Sequence, residues 1–232
     1  MRTIFIVLLC SYNILIGSEK ENINHEFGLL LGLNSSYLNT DNLMNYDHFR
    51  YSFLPGFIYD YNINYNWLIR SGLFYTKQGG NTEKYQQTSV HEPEGTGKYF
   101  WFTSSISYME IPIICNYRFR KLPFDILIGI GPSFSYLISA YEDFDADFKI
   151  DYSFKEDISD KLSNFNLSLN SSISIMFGLY KSIFLEVGTN FSYGIFDIYT
   201  SKSDYMNEYG ERIDVYFKTR SISTFAIIKY SL

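Results

Sequence analysis

The stretch that most limits what this chain can become is residues 107–139, a pair of alternating segments joined by a few polar residues. In SYMEIPIICNYRF (107–119), Met109, Ile111, Ile113, Cys115, Tyr117 and Phe119 share one apolar face. Tyr108, Glu110, Pro112, Ile114, Asn116 and Arg118 share a mixed one. After RKLP (120–123), FDILIGIGPSFSYLIS (124–139) sets Phe124, Ile126, Ile128, Ile130, Phe134, Tyr136 and Ile138 against Asp125, Leu127, Gly129, Gly131, Ser133, Ser135 and Ser139. A period of two is a strand, so this is a hairpin. Strands of soluble sheets average ~5 to 6 residues and turn an apolar face toward a core. These arms exceed the ~9 to 11 residues that cross a bilayer at a tilt, and their second face is small, polar or charged. Apolar outside with small or polar inside is the pattern of a transmembrane barrel.

Composition agrees. Aromatics are 19% of the chain, with 22 Tyr and 21 Phe, yet mean hydropathy is only −0.10. The chain is apolar by face and not by segment, and no run is long enough for a spanning helix. A net charge of −6 leaves no basic surplus for phosphate backbones, so nucleic acid is not an expected partner. Of two cysteines, Cys10 lies near the start and Cys115 is left alone, which argues against a disulfide or a cysteine metal site.

Residues 1–18 read as a signal peptide, with Arg2, an apolar run at 4–10 and small residues at Gly17 and Ser18. The barrel domain is then 26–232, and alternation places eight strands in it: 26–37, 50–61, 67–78, 99–119, 124–139, 165–179, 183–198 and 217–232. Connections after the second, fourth and sixth strands are short, and those after the first, third, fifth and seventh are long. Sorting by parity predicts an eight-stranded antiparallel up-and-down transmembrane β-barrel in the bacterial outer membrane, with short periplasmic turns and long outer loops. A soluble up-and-down barrel would carry bulky apolar residues inside, and here the expected inward face is Gly, Ser and Asn. The last strand places Ile228, Tyr230 and Leu232 outward, resembling the C-terminal signal that hands barrels to their insertion machinery. Closure of this strand on the first removes an otherwise unpaired edge.

YDYNINYNWLIRSGLFYTKQGG (59–80), SYMEIPIICNYRF (107–119) and GIGPSFSYLIS (129–139) resemble the small outer-membrane barrels described as PorT-like or porin-like, with Y-x-E-I-P the most specific element. The resemblance implies the fold and the location. One branch is associated with secretion across the outer membrane, so it also implies secretion assistance, and it supplies no catalytic residue.

Chemistry is sparse. His25, His48 and His91 fall before the first strand or in outer loops, where His48 beside Asp47 or His91 beside Glu92 offers the only acid–base pairing. The third long loop carries Glu142, Asp143, Asp145, Asp147, Asp151, Glu156, Asp157 and Asp160, whose spacing does not fit a calcium loop and reads as a solvated acidic surface. No cofactor is expected. The inward charges Arg50, Asp60, Arg70, Glu110, Arg118, Asp125, Glu186 and Lys229 have mixed sign, and an eight-stranded barrel barely contains its own side chains. They are expected to pair in a filled lumen, with Arg118 opposite Asp125 at a partly wet mouth. Pro112 and Pro132, each lacking a ladder donor, are expected to bulge or interrupt the sheet.

Three readings of function follow. The leading one is a non-enzymatic barrel with a filled lumen, whose outer loops bind an extracellular or envelope protein or assist secretion or assembly. A narrow passive solute pore and a lipid or peptide hydrolase are the alternatives. Outer-membrane lipids and the insertion machinery are partners under any of them.

Overall fold

The computed structural model describes residues 25–40, 48–82, 85–86, 99–120, 123–146, 154–198 and 217–232. The expected leader, His91 with Glu92, and Asp47, Asp147 and Asp151 lie outside these residues. The described strands are β1 (His25–Thr40), β2 (His48–Asn62), β3 (Trp67–Asn81), β4 (Tyr85–Gln86), β5 (Tyr99–Phe119), β6 (Asp125–Ala146), β7 (Phe154–Asp157), β8 (Phe165–Tyr180), β9 (Ile183–Gly194) and β10 (Phe217–Ser231). Eight of them close an antiparallel barrel in the order β1-β2-β3-β5-β6-β8-β9-β10, with β10 back on β1 from Glu26–Ser231 to Thr40–Phe217. β4 and β7 flank an extension of β5 and β6 beyond the barrel wall.

Alternation sets the two faces. Leu29, Leu31, Leu33, Ile130, Ile138, Ile173, Ile222 and Ile228 stand exposed on the outside. Aromatic or cationic residues bracket this surface ten positions apart on each of several strands: Phe27 and Tyr37, Tyr61 and Tyr51, Trp67 and Lys77, Tyr230 and Arg220. At ~3.3 Å per residue and a tilt near 40°, that spacing gives a band about 25 Å tall, the height of the apolar belt of an outer-membrane barrel. Short turns gather at one end, here the turn end. Asn64 caps one of them by accepting the backbone N–H groups of Asn66 (3.0 Å) and Trp67 (2.8 Å).

The lumen is less polar than its glycines and serines imply. Leu30, Leu54, Ile58, Phe225 and Ile227 form a buried apolar layer halfway up, and Leu68, Leu127 and Met176 another near the turn end. At the loop end Leu38, Ile106, Tyr108 and Phe217 pack beneath Ile158, Leu162 and Ile198, which the loops fold inward as a cap. These residues share the inward parity of the small ones around them and fill the space those leave. At Gly56, for instance, a Cβ would lie 2.2 Å from the ring of Phe74, so glycine admits that ring to the lumen.

Four expectations about strand geometry are corrected. β6 runs to Ala146 and not 139, because a bulge beside Ile138 (Ser107 pairs Ser139, then Tyr108 pairs Leu137) resets the inward phase. Beyond it Ala140 is buried and Ser139, expected inward, is only half-buried. β9 ends at Gly194 and not 198: the side chain of Asp197 accepts the N–H of Phe217 (3.0 Å) and Ile198 turns into the cap. The central hairpin pairs Phe119 with Ile126 and Arg118 with Leu127, two residues from the expected register. A slip of two keeps every side chain on its face. His25 and His48 lie within strands.

At the prolines the sheet is interrupted without a bulge. Pairs of Ile113 and Ile114 with β6, and of Ile111 and Pro112 with β3, drop out, and both ladders resume in the same register. The ladder of β6 to β8 runs through Pro132 unbroken. The larger break is at Pro55, where β2 and β3 lose pairing between Phe49–Gly80 and Gly56–Phe74, with a register shift.

Candidate functional site

Parity brings charged side chains from seven strands together at the turn end of the lumen. Arg70 on β3 donates from Nε and Nη2 to both oxygens of Asp60 on β2 (2.8 Å each), and from Nη1 and Nη2 to Glu186 on β9 (2.8 and 2.7 Å). Two forked contacts on one guanidinium use the geometry that arginine alone offers. Lys229 on β10, fully buried, bridges the same carboxylates at 2.8 Å to Asp60 and 2.5 Å to Glu186. Ser174 completes Glu186 with a hydrogen bond of 2.6 Å.

A second cluster adjoins the first through Glu26 on β1. Glu26 accepts from Arg118 (3.0 Å) and Asn62 (3.2 Å) and lies 3.5 Å from Lys229. Arg118 also holds Asp125 at 2.8 Å, with Asp125 21% exposed and Arg118 only 5%. The expected pair therefore forms, diagonally across the hairpin, but as part of a buried network and not as an isolated rim contact. Together the clusters hold Glu26, Asp60, Asp125 and Glu186 against Arg70, Arg118 and Lys229. Isolated, each buried ion would cost several kcal/mol; here each has at least one partner of opposite sign.

Two of the eight expected lumen charges lie elsewhere. Glu110 sits higher, accepting the hydroxyl of Ser133 at 2.5 Å. Arg50 lies at the loop end, half-buried, and donates to the backbone oxygen of Ser104 at 3.3 Å. Glu26 is the member that the sequence reading missed. Its parity with Gly28 on the same strand was the available signal.

Above the clusters the lumen holds a cavity of about 40 Å³ lined by Arg70 of the first cluster and by Leu30, Asn34, Leu54, Phe74, Thr76, Gln78 and Asn190 among others. By the room one water needs, that is space for a few water-sized groups. Thr76 Oγ1, Gln78 Oε1 and Asn190 Oδ1 are buried there without a hydrogen-bond partner in the protein. Stacked from the turn end, the lumen is thus ion-paired around Leu68, Leu127 and Met176, then hollow between Arg70 and the apolar residues Leu30, Leu54 and Phe74, then capped by apolar residues.

The remaining expected residues fall outside the lumen. Ile228, Tyr230 and Leu232 face outward, and the N–H of Leu232 bonds the carbonyl of His25 at 2.9 Å. His25 meets the hydroxyl of Tyr59 at 2.7 Å on the outer face, and His48 is exposed at the loop end of β2. Of the acidic loop, Asp143 lies 4.0 Å from Lys155, Glu156 pairs with Lys161, and Asp157 accepts the N–H of Ser159 at 2.9 Å. The hydroxyl and backbone N–H of Ser159 hold the Asp157 carboxyl below the usual carboxylate range. Among the described residues no group of three or more His, Cys, Asp or Glu is placed to hold a metal ion.

The sequence profile described as outer membrane protein beta-barrel domain matches residues 18–200. The structure is similar to that of Ail, the attachment invasion locus protein of Yersinia pestis, at 10% identity, covering 90% of this chain and 100% of that one with a TM-score of 0.40. It is also similar to OprG from Pseudomonas aeruginosa (8% identity, 91% and 97% covered, TM-score 0.45) and to a major outer membrane protein from Thermus thermophilus (9%, 90% and 99%, TM-score 0.46). No curated protein matches the sequence.

Proposed function

The chain belongs to the outer membrane protein beta-barrel domain family, and on that premise we propose that it is a non-conducting, non-enzymatic barrel of the outer membrane whose loop end faces outward and binds a protein of the envelope or the cell exterior. The observation that carries this reading is the ion-paired layer. Arg70, Asp60, Glu186 and Lys229 meet across the lumen at 2.5–2.8 Å and occupy the cross-section that a solute would need. Mutual pairing also leaves none of these groups poised as an acid, base or nucleophile, and both described histidines stand outside the lumen.

The binding surface is the extension of β5 and β6 flanked by β4 and β7. Phe102 packs edge to face on Phe100 and Phe144, which are tilted against each other, with ring centroids 5.3–6.2 Å apart, giving the extension a stiff base above the membrane. Assistance in secretion, the role implied by the PorT-like resemblance around Tyr108–Pro112, is a form of the same partner binding.

Planar-bilayer recording tests the proposal. The purified protein is expected to give no discrete current steps at moderate voltage and salt; reproducible unitary steps would favour the narrow-pore reading and overturn this one. Orientation has its own test. Epitope tags near Gly95 and Asp157 are expected to be reached by antibody on intact cells and a tag at Lys121 is not; the reverse would invert the topology.

A further inference from the structure

The ladder gap at Pro55 and the polar cavity are one feature seen from two sides of the wall. On β2, residues 50–55 pair with β1 through Leu31–Pro55 and beyond, yet have no ladder partner on β3, where 75–79 lie opposite. Proline has no N–H to give. Side chains take over part of the work: Asn34 (3.0 Å) and Ser52 (2.8 Å) both donate to the carbonyl of Lys77, and Ser36 to that of Gly79 (3.2 Å). Such bonds exchange more readily than a continuous ladder, because each rests on one rotamer.

Position makes the gap matter. On the membrane side Tyr51 and Phe53, 75% and 77% exposed, stand beside it at the loop-end margin of the apolar band. On the lumen side Leu54, Thr76 and Gln78 belong to the unpaired segments and line the cavity. The apolar cap lies between that cavity and the loop end, and the ion-paired layer, whose Arg70 forms part of the cavity lining, lies between it and the turn end. The weakest boundary is the side wall.

We infer that this gap is a lateral entrance through which a membrane-dissolved amphiphile with a terminal hydroxyl places its polar end in the cavity. The chemistry follows from the lining. Thr76 Oγ1, Gln78 Oε1 and Asn190 Oδ1 have no protein partner, and two of these are pure acceptors that want a donated proton. The cavity takes a hydroxyl with one or two carbons, against Leu30, Leu54 and Phe74. The rest of the chain lies in the gap beside Phe53 and in the bilayer. A ligand entering from the lipid does not need the lumen to conduct, so this inference stands or falls separately from the bilayer recording.

The test uses the full chain in lipid nanodiscs, with 1-octanol as probe and n-octane as the matched molecule lacking the hydroxyl. Octanol is expected to shift the side-chain amide NMR signals of Gln78 and Asn190 saturably, and octane to leave them in place. Thr76→Val, which keeps the shape and removes the hydroxyl, is expected to weaken the octanol effect about fivefold, the factor one lost hydrogen bond gives. Pro55→Val, which restores the missing donor, is expected to slow octanol exchange; Thr224→Val on the outer face should change nothing. Shifts confined to lipid-facing residues such as Leu31 and Phe53, equal shifts with octane, or no shift with octanol would each overturn the proposal. The wild-type comparison of the two probes decides it even where a variant fails to fold.

Discussion

The two halves of the lumen solve the burial of polar groups in opposite ways. Toward the turn end Arg70, Lys229, Asp60, Glu186, Glu26 and Arg118 share partners in a chain of contacts, most within 3.0 Å. Toward the loop end Thr76, Gln78, Asn190, Ser104 and Tyr108 each bury an oxygen with no protein partner. The outer wall follows the same division, with paired strands below and the β2–β3 gap above. A fully satisfied network fixes one arrangement, whereas unsatisfied groups leave room to accommodate something else. The lesson is that stability and adaptability are kept at different depths of one barrel.

Removing Arg70 should break the comparison at its strong end. Arg70→Ala leaves Asp60 and Glu186 with Lys229 as their remaining strong cation, and is expected to cost ~3–5 kcal/mol, the usual loss when one partner of a buried ion network is deleted. Reversible urea unfolding in lipid vesicles measures it. A loss below ~1 kcal/mol would mean that the network is as wet as a surface pair.

The neighbouring Arg118–Asp125 pair is expected to couple more weakly, by ~1–2 kcal/mol in a double-mutant cycle, because Asp125 reaches solvent while Arg118 does not. Coupling indistinguishable from zero would detach the turn end from the network. In the upper half, Thr76→Val is expected to change stability by less than ~1 kcal/mol in either direction, since the hydroxyl removed has no protein partner. A large loss there would erase the contrast between the halves.

The smallest effect lies in the extension. The carboxyl of Asp157 is held low by Ser159, so its folded value lies beneath its unfolded one. The order it confers on the 159–161 turn is present above the ordinary value of ~3.9 and is lost as pH falls through the lower, folded one. Protection of the Ser159 amide, its exchange measured against the intrinsic rate at each pH, is expected to be steady between about pH 5 and 7 and to fall only below ~3.9, a step absent in Asp157→Ala.

These contrasts mark what was legible in the sequence. Strands and their faces were, because a period of two survives in single residues: Ile128, Ile130, Phe134 and Tyr136 face out and Gly129, Gly131, Ser133 and Ser135 face in, as read. Parity carries no depth, however. Arg50 and Arg70 have the same inward phase, and only the tilt and stagger of the closed sheet put one at the loop end and the other in the network. Hairpin register was misread by two residues for a related reason, since a slip of two leaves every face unchanged. The extension of β6 past 139 was hidden by the Ile138 bulge, which breaks the phase where the chain turns acidic. Leu30, Leu54 and Ile58 were visible as inward positions and were overshadowed by their small neighbours. The ladder gap at Pro55 was the least legible feature, because a missing donor shows in sequence but the strand it should have served does not.

The central claim is a dry, ion-paired lower lumen beneath a hydrated, adaptable upper one, and water-edited solid-state NMR of the protein in bilayers tests it most directly. Magnetisation started on water should reach the side-chain amides of Gln78 and Asn190 early and the ammonium of Lys229, fully buried and away from the cavity lining, late, only after the surrounding protein. Equal and early build-up at Lys229 would contradict the account, since an ammonium in contact with water cannot belong to the seal that closes the barrel.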